Sequence, residues 1–359
     1  MIKFALNCNY YHPSQQLILD LTDSNWDDIF TKAERKEIED AGCKLLRPVD
    51  VSLTRLLGEL YKKKTAKEAF NFARTIELDP EDEPILAWLS TSVQNTALLY
   101  LKKNNFNIQN YLESDKMYYL WSFLNKIYDA SDDIAALGKE KHSTASASAT
   151  NQKRKLSAVD PVENLKMGRR TDTTYIGGNG VELGCLEIGR TNDQTKEFID
   201  GSIKMPMVMR DMLLKLVEEN PALVNQLHIL GYLIMGDKVS LMDMDIPDGY
   251  VTRIRRTKQV AYPDSSKNFI VRIGPLLELA AIGKEIVEDT YKNFSNNMIP
   301  LSAAADEQEK LVIHLVYLDY HHSHYHHQNH QHHHRQTNAK TLVARHPAHS
   351  LTFEYTFIS

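Results

Sequence analysis

The chain has 359 residues, 42% of them apolar and 25% charged, enough for a sizeable core and for either two domains or one with long appendages. Its formal net charge of −5 excludes a protein that coats nucleic acid by overall attraction, so any such contact needs a local basic patch. Cys8, Cys43 and Cys185 are odd in number and far apart; they build neither a disulfide framework nor a CxxC metal site, which suits a reducing compartment.

The opening MIKFALNCNYYH has too few apolar residues for a secretory signal, and residues 1–20 read as a short strand or hairpin. No window reaches the roughly 18 uninterrupted apolar residues of a membrane span. The expectation is an intracellular protein, of nucleus or cytoplasm, with no membrane partner. From Ser24 to Ile127 the pattern is helical. Thr31 with Glu34, and Thr65 with Glu68, fit capping boxes, and Gly42 stands where the first of these helices would end. The second would stop near Asp79-Pro80; Pro84 then opens a helix on Leu86, Leu89, Val93, Leu98 and Leu99. Ser114 is placed to cap a further helix with Tyr118, Trp121, Leu124 and Ile127 on one face. The segment AKEAFNFARTIELDPEDEPILAW has the look of a single tetratricopeptide repeat, but nothing else repeats at that period, so an ordinary helical region over 1–109 is the better reading.

Residues 139–158 are rich in Ser, Thr and Ala and read as a disordered insert. Their basic run, Lys153-Arg154-Lys155, serves either as a nuclear address or as solvated linker charge. Next comes a strand ending near Ile176, a Gly-Gly-Asn-Gly turn, a strand through Ile188, a polar loop and a helix. Gln226–Met235 is a near-continuous apolar run, as in a strand buried on both faces. Gly236-Asp237 turns into a strand over 238–246, and Pro247-Asp248-Gly249 into one over 250–262. Helical spacing over 269–294 is expected to break at Gly274-Pro275. In the tail from 296, nine of the fifteen histidines fall between His321 and His334; the tract has incidental affinity for nickel, copper or zinc without fixed ligand spacing. The closing LTFEYTFIS reads as a strand with no evident place to dock.

Chemistry concentrates between residues 168 and 212. Asp172 and Glu187 sit on neighbouring strands, with Arg190 and Lys196 just beyond, an arrangement able to hold a divalent metal against a phosphate. Glu187 shares strand parity with Val181, Leu183 and Cys185, so it points inward and needs a partner, whereas Glu182 has the opposite parity and reads as solvated. Asp172 has an equal alternative, pairing with Arg169 or Arg170 or bonding a turn. Arg253 and Arg255 share one face of a strand and Arg256 the other, with Lys258 beyond; they form either a nucleic-acid contact or a polar sheet edge that discourages aggregation. His228, in the apolar run, reads as a hydrogen-bonded core histidine, and Met205, Met207, Met209 and Met212 as core filling.

From Ser114 onward the elements run helix, linker, strand, strand, helix, strand, strand, strand, helix. A mixed central sheet flanked by helices satisfies this order, preceded by an α-helical subdomain. Over residues 110–295 that order, with GRRTD at Asp172 and CLEIGR at Glu187, resembles the PD-(D/E)XK, or restriction-endonuclease-like, superfamily. The resemblance implies an α/β nuclease domain in which Asp172 and Glu187 ligate magnesium or manganese, and a first helix, YLESDKMYYLWSFLNKIYD, whose Glu113 assists the metal. It implies a lysine two residues after Glu187, where this chain has Gly189; Arg190 or Lys196 would take its place. Arginine supplies charge and hydrogen bonds but is a poor proton acceptor. The function implied is metal-dependent hydrolysis of DNA or RNA. A non-catalytic module derived from a nuclease, binding nucleic acid or protein, and a helical adaptor working through the N-terminal region are the alternatives.

Overall fold

The computed structural model describes residues 1–42, 47–101, 111–152, 164–189 and 199–297, so Cys43, the basic triplet, Arg190, Lys196 and the His-rich tail lie outside the described residues. Instead of a hairpin, residues 1–20 form helix α1 (Ile2–Asn7) and a short strand β1 (Ile18–Asp20). Between them the His12 ring accepts from Ser14 N and caps one tight turn.

Helices α2 (Lys32–Asp40), α3 (Val51–Tyr61), α4 (Ala66–Arg74) and α5 (Pro84–Leu101) make up the expected helical region. Thr31 and Glu34 form a reciprocal box at α2, and Gly42 follows that helix at φ +70°. At α4, Thr65 caps Glu68 N, but Glu68 reaches back to Lys64 N, and the helix stops at Arg74, short of Pro80. Ser114 is not a cap. Helix α6 (Glu113–Tyr119) starts one residue earlier, and both Leu120 N and Trp121 N turn back to Lys116 O. The turn separates α6 from α7 (Ser122–Lys126), so Trp121, Leu124 and Ile127 are buried while Tyr118 is 73% exposed.

The sheet has eight strands among the described residues, in the order β1-β7-β6-β5-β4-β3-β2, with β8 beside β6. Its other members are β2 (Ala135–His142), β3 (Arg170–Ile176), β4 (Glu182–Gly189), β5 (Ile229–Met235), β6 (Lys238–Asp245), β7 (Thr252–Arg256) and β8 (Val260–Ala261). β4 runs parallel to β5 and β1 to β7; the other pairs are antiparallel. β5 is buried at every position, as its apolar run predicts. Residues 250–262 are two strands rather than one, broken at Thr257–Gln259 so that β7 and β8 pair successive parts of β6.

Where disorder was expected, β2 runs to His142 and helix α8 (Thr144–Asn151) follows. The reason is Glu182. Buried at 5% exposure rather than solvated, its carboxylate accepts from Ser143 Oγ (2.7 Å), Thr144 N (2.7 Å) and Ala145 N (3.1 Å). An anion at a helix N-terminus satisfies amides that the helix leaves free, and so orders a segment of weak composition.

Helices α8 and α9 (Met205–Glu219) pack together, with α9 on one face of the sheet; α10 (Phe269–Asn296) covers the other and also contacts α3 and α7. The four methionines of the α9 segment are buried. α10 does not break at Gly274-Pro275. The proline deprives the Val271 carbonyl of its donor, but Val271 is 72% exposed and water can serve it. Gly274 instead allows close approach: a Cβ there would come within 2.4 Å of the Tyr61 ring of α3. Among the described residues no helix is long and apolar enough to cross a membrane.

Candidate active site

The two predicted carboxylates meet where β3 and β4 part. Their register ends at Thr173↔Leu186. Beyond it β3 continues with β2, through Thr171↔Lys141, and β4 with β5, through Glu187↔Leu233. Asp172 and Glu187 each lie one step past the last pair, so alternation sends both side chains to the face that carries α9. In the gap Asp172 Oδ2 accepts from Ile188 N at 2.7 Å, standing in for a main-chain carbonyl. Of the neighbouring arginines, Arg169 bonds Asp211 at 3.2 Å, and Arg170 reaches His142 at 3.1 Å.

Glu187 is buried. Its Oε2 accepts from Lys204 Nζ at 2.8 Å, while Oε1 is buried with no hydrogen-bond partner. Burial pushes this carboxyl up to about 8, against the pull of Lys204; Asp172 and Asp200 add to the rise. Asp200 and Lys204 are the ends of a π-helical turn (Asp200–Lys204) that leads into α9. Such turns carry one extra residue and recur at functional sites. Gly201 lets the turn lie on β5, since a Cβ there would meet Leu233 Cδ2 at 2.4 Å.

Lys204 was not foreseen. It lies well beyond Glu187 in sequence, and a lone lysine at a helix start follows no pattern. Of the residues expected to replace the missing lysine, Arg190 and Lys196 lie outside the described residues. Glu113 opens α6, a helix that contacts β4. Its carboxyl acts on buried Lys116, whose ammonium is lowered by burial against the pull of Asp237 and Glu113.

The arginine group is not a surface patch. Arg253, 1% exposed, pairs with Asp245 through Nε at 2.9 Å and also donates to Ile38 O. Arg255, 4% exposed, pairs with Asp243 at 2.7 Å. Arg256 faces the other way, as alternation requires, and pairs with Asp20 through Nε at 2.8 Å. Charges this deep cannot meet a phosphate backbone; of the group, Lys258 is the exposed one. One signal was present: Asp243 and Asp245 mirror Arg255 and Arg253 about the turn before Tyr250, and the strands pair them directly. His228 is the expected core histidine, with Nδ1 2.9 Å from Asp243 Oδ1. Burial alone would raise the Asp243 carboxyl, but His228, Arg255 and Arg47 hold it below its ordinary value.

A cavity of about 240 Å³, walled by Trp88, Tyr119 and Phe123, lies between α5, α6 and α7 and includes neither carboxylate. Comparison with protein-family models, curated proteins and solved structures returns no significant match to this chain.

The donors suit a hard, oxygen-loving cation. Among the described residues no cluster of three or more His, Cys, Asp or Glu side chains could hold a metal ion. Magnesium differs from caged metals in this respect: it takes one or two carboxylates and completes its shell with water and substrate phosphate. The unpartnered Oε1 of Glu187 is a buried acceptor in want of a cation or proton, so Asp172 with Glu187 fits such an ion.

Proposed function

We propose that this protein is a magnesium- or manganese-dependent phosphodiesterase acting on nucleic acid, with its site at the β3–β4 fork. One observation carries the reading: Glu187, beside Asp172, has one oxygen on Lys204 and the other buried without a partner. The element order also supports it, since the strand of Asp172 and the strand of Glu187 are followed by a helix and further strands, as the nuclease resemblance implies.

Asp172 and Glu187 would hold the ion, which when bound lowers the pKa of its water and offsets charge on the phosphate. The Ile188 amide fixes one oxygen of Asp172. Lys204 supplies from α9's side the amine missing at Gly189. Its Nζ would stabilise charge that develops on the phosphate, and it pulls Glu187 toward its anionic form against burial. With Arg253, Arg255 and Arg256 paired inside the fold, Lys258 is the candidate nucleic-acid contact of that group.

A second reading, a non-catalytic module, is favoured by the Lys204–Glu187 bond itself, which a purely structural ion pair would also make. Cleavage of labelled single- and double-stranded DNA and RNA with magnesium or manganese separates the two. Wild type should cut, and D172N, E187Q and K204M should each lose about 10²-fold or more of kcat while staying folded. No cutting by wild type, with nucleic-acid binding equal in all four proteins, would favour the module.

A further inference from the structure

The π-turn that carries Lys204 contains a hydrogen-bonding gap. Met205 N, which an α-helix would give to Gly201 O, goes to Asp200 O instead. In π register the donor to Gly201 O would be residue 206, and that residue is Pro206, which has no N–H. Arg256 closes the gap: its Nη2 donates to Gly201 O at 2.6 Å. Arg256 is itself gripped by Asp20, whose Oδ2 accepts from Nε at 2.8 Å and from Nη2 at 2.5 Å. The other oxygen of Asp20 accepts from Thr22 N (3.1 Å) and Thr22 Oγ1 (2.7 Å), so the carboxylate cannot swing away without losing both. Both side chains of the Arg256–Asp20 pair are 11% exposed.

We infer that Arg256 is a positioning residue, which with Asp20 of β1 holds the turn so that Lys204 meets Glu187. A part of the chain remote in sequence from both carboxylates thereby belongs to the site. The catalytic consequence rests on the hydrolase reading; the tether does not. Lysine at 256 would keep the charge but cannot reach both Asp20 and Gly201 O with the fork of an arginine.

The test reads Lys204 directly. Full-length wild type, R256Q, R256K, D20N, K204A and R256Q/K204A are treated with an amine-acylating reagent, and modification is followed by peptide mass spectrometry. Lys116, 3% exposed, reports general loosening of the fold. Acylation of Lys204 should rise about five-fold or more in R256Q and D20N and less in R256K, with Lys116 unchanged. In cleavage, R256Q should lower kcat about ten-fold with KM little moved, and R256Q/K204A should be no slower than K204A, because residues acting through one another are not additive. Unchanged Lys204 acylation in folded R256Q overturns the tether, whatever the cleavage assay gives. A rise with no cutting by wild type leaves the tether and removes the hydrolase.

Discussion

Among the side chains, Glu187 bears a large electrostatic cost, because its carboxyl is held near 8 in the fold against an ordinary 4.5. Between those values the folded protein binds the proton more tightly than the unfolded chain does, so stability falls as pH rises from about 4.5 to about 8 and then levels. E187Q should therefore gain stability over wild type by up to a few kcal/mol at pH 8 and by little at pH 4.5, measured by urea unfolding. Manganese should remove most of this difference by stabilising the anion. Asp243 has the opposite sign. Held below its ordinary 3.8, it contributes stability above that value, which is lost as pH falls through its folded pKa. D243N should cost about 3–5 kcal/mol at pH 7, because buried Arg255 and His228 would both lose their bonds to the Asp243 carboxylate, Arg255 keeping the longer contact to Asp245. That Asp172 and Glu187 lie on neighbouring strands, with Glu187 turned inward, was legible from the chain alone because strand patterns are local. Lys204 could not, since its approach depends on how α9 is laid on the sheet. The arginines were misread because a run of positive residues looks like a patch until the facing strand is set in register.

Local order depends on partners that sequence windows do not contain. Helix α8 has a composition that alone predicts disorder, and it forms where Glu182 of β4 reaches its first turn. E182A should cost about 1–3 kcal/mol and abolish amide protection over 144–151 in hydrogen exchange, while α9 keeps its own. The Gly274-Pro275 pair shows the converse: a local break signal is overridden where the orphaned carbonyl is exposed and α3 needs room. G274A should destabilise by about 1–3 kcal/mol in urea, and Y61A should recover part of that loss in the double variant. The capping box at Thr31, the Thr65 cap, the turns after Met235 and Ile246 and the two central strands were legible because their determinants lie within a few residues. β2 was missed because it precedes a Ser/Thr/Ala segment and is edge-paired only to β3.

For the whole molecule, the mixed sheet flanked by helices follows from the order of elements. The place of β1 does not, since three residues carry no signature of a parallel partner near the other end of the described chain. That pairing has a consequence during synthesis. Asp20 emerges 236 residues before Arg256. At about 5–20 residues per second it waits roughly 12–47 s for its partner, and longer until β7 clears the ribosome. The sheet's first strand is thus among the last to join it. Nascent chains arrested before β7 should be cut by protease within the first thirty or so residues, and chains extended well past Arg256 should resist. The newly made protein passes that interval with β7 still unmade, and Gly201 of the turn before Lys204 waits as long for its donor, Arg256.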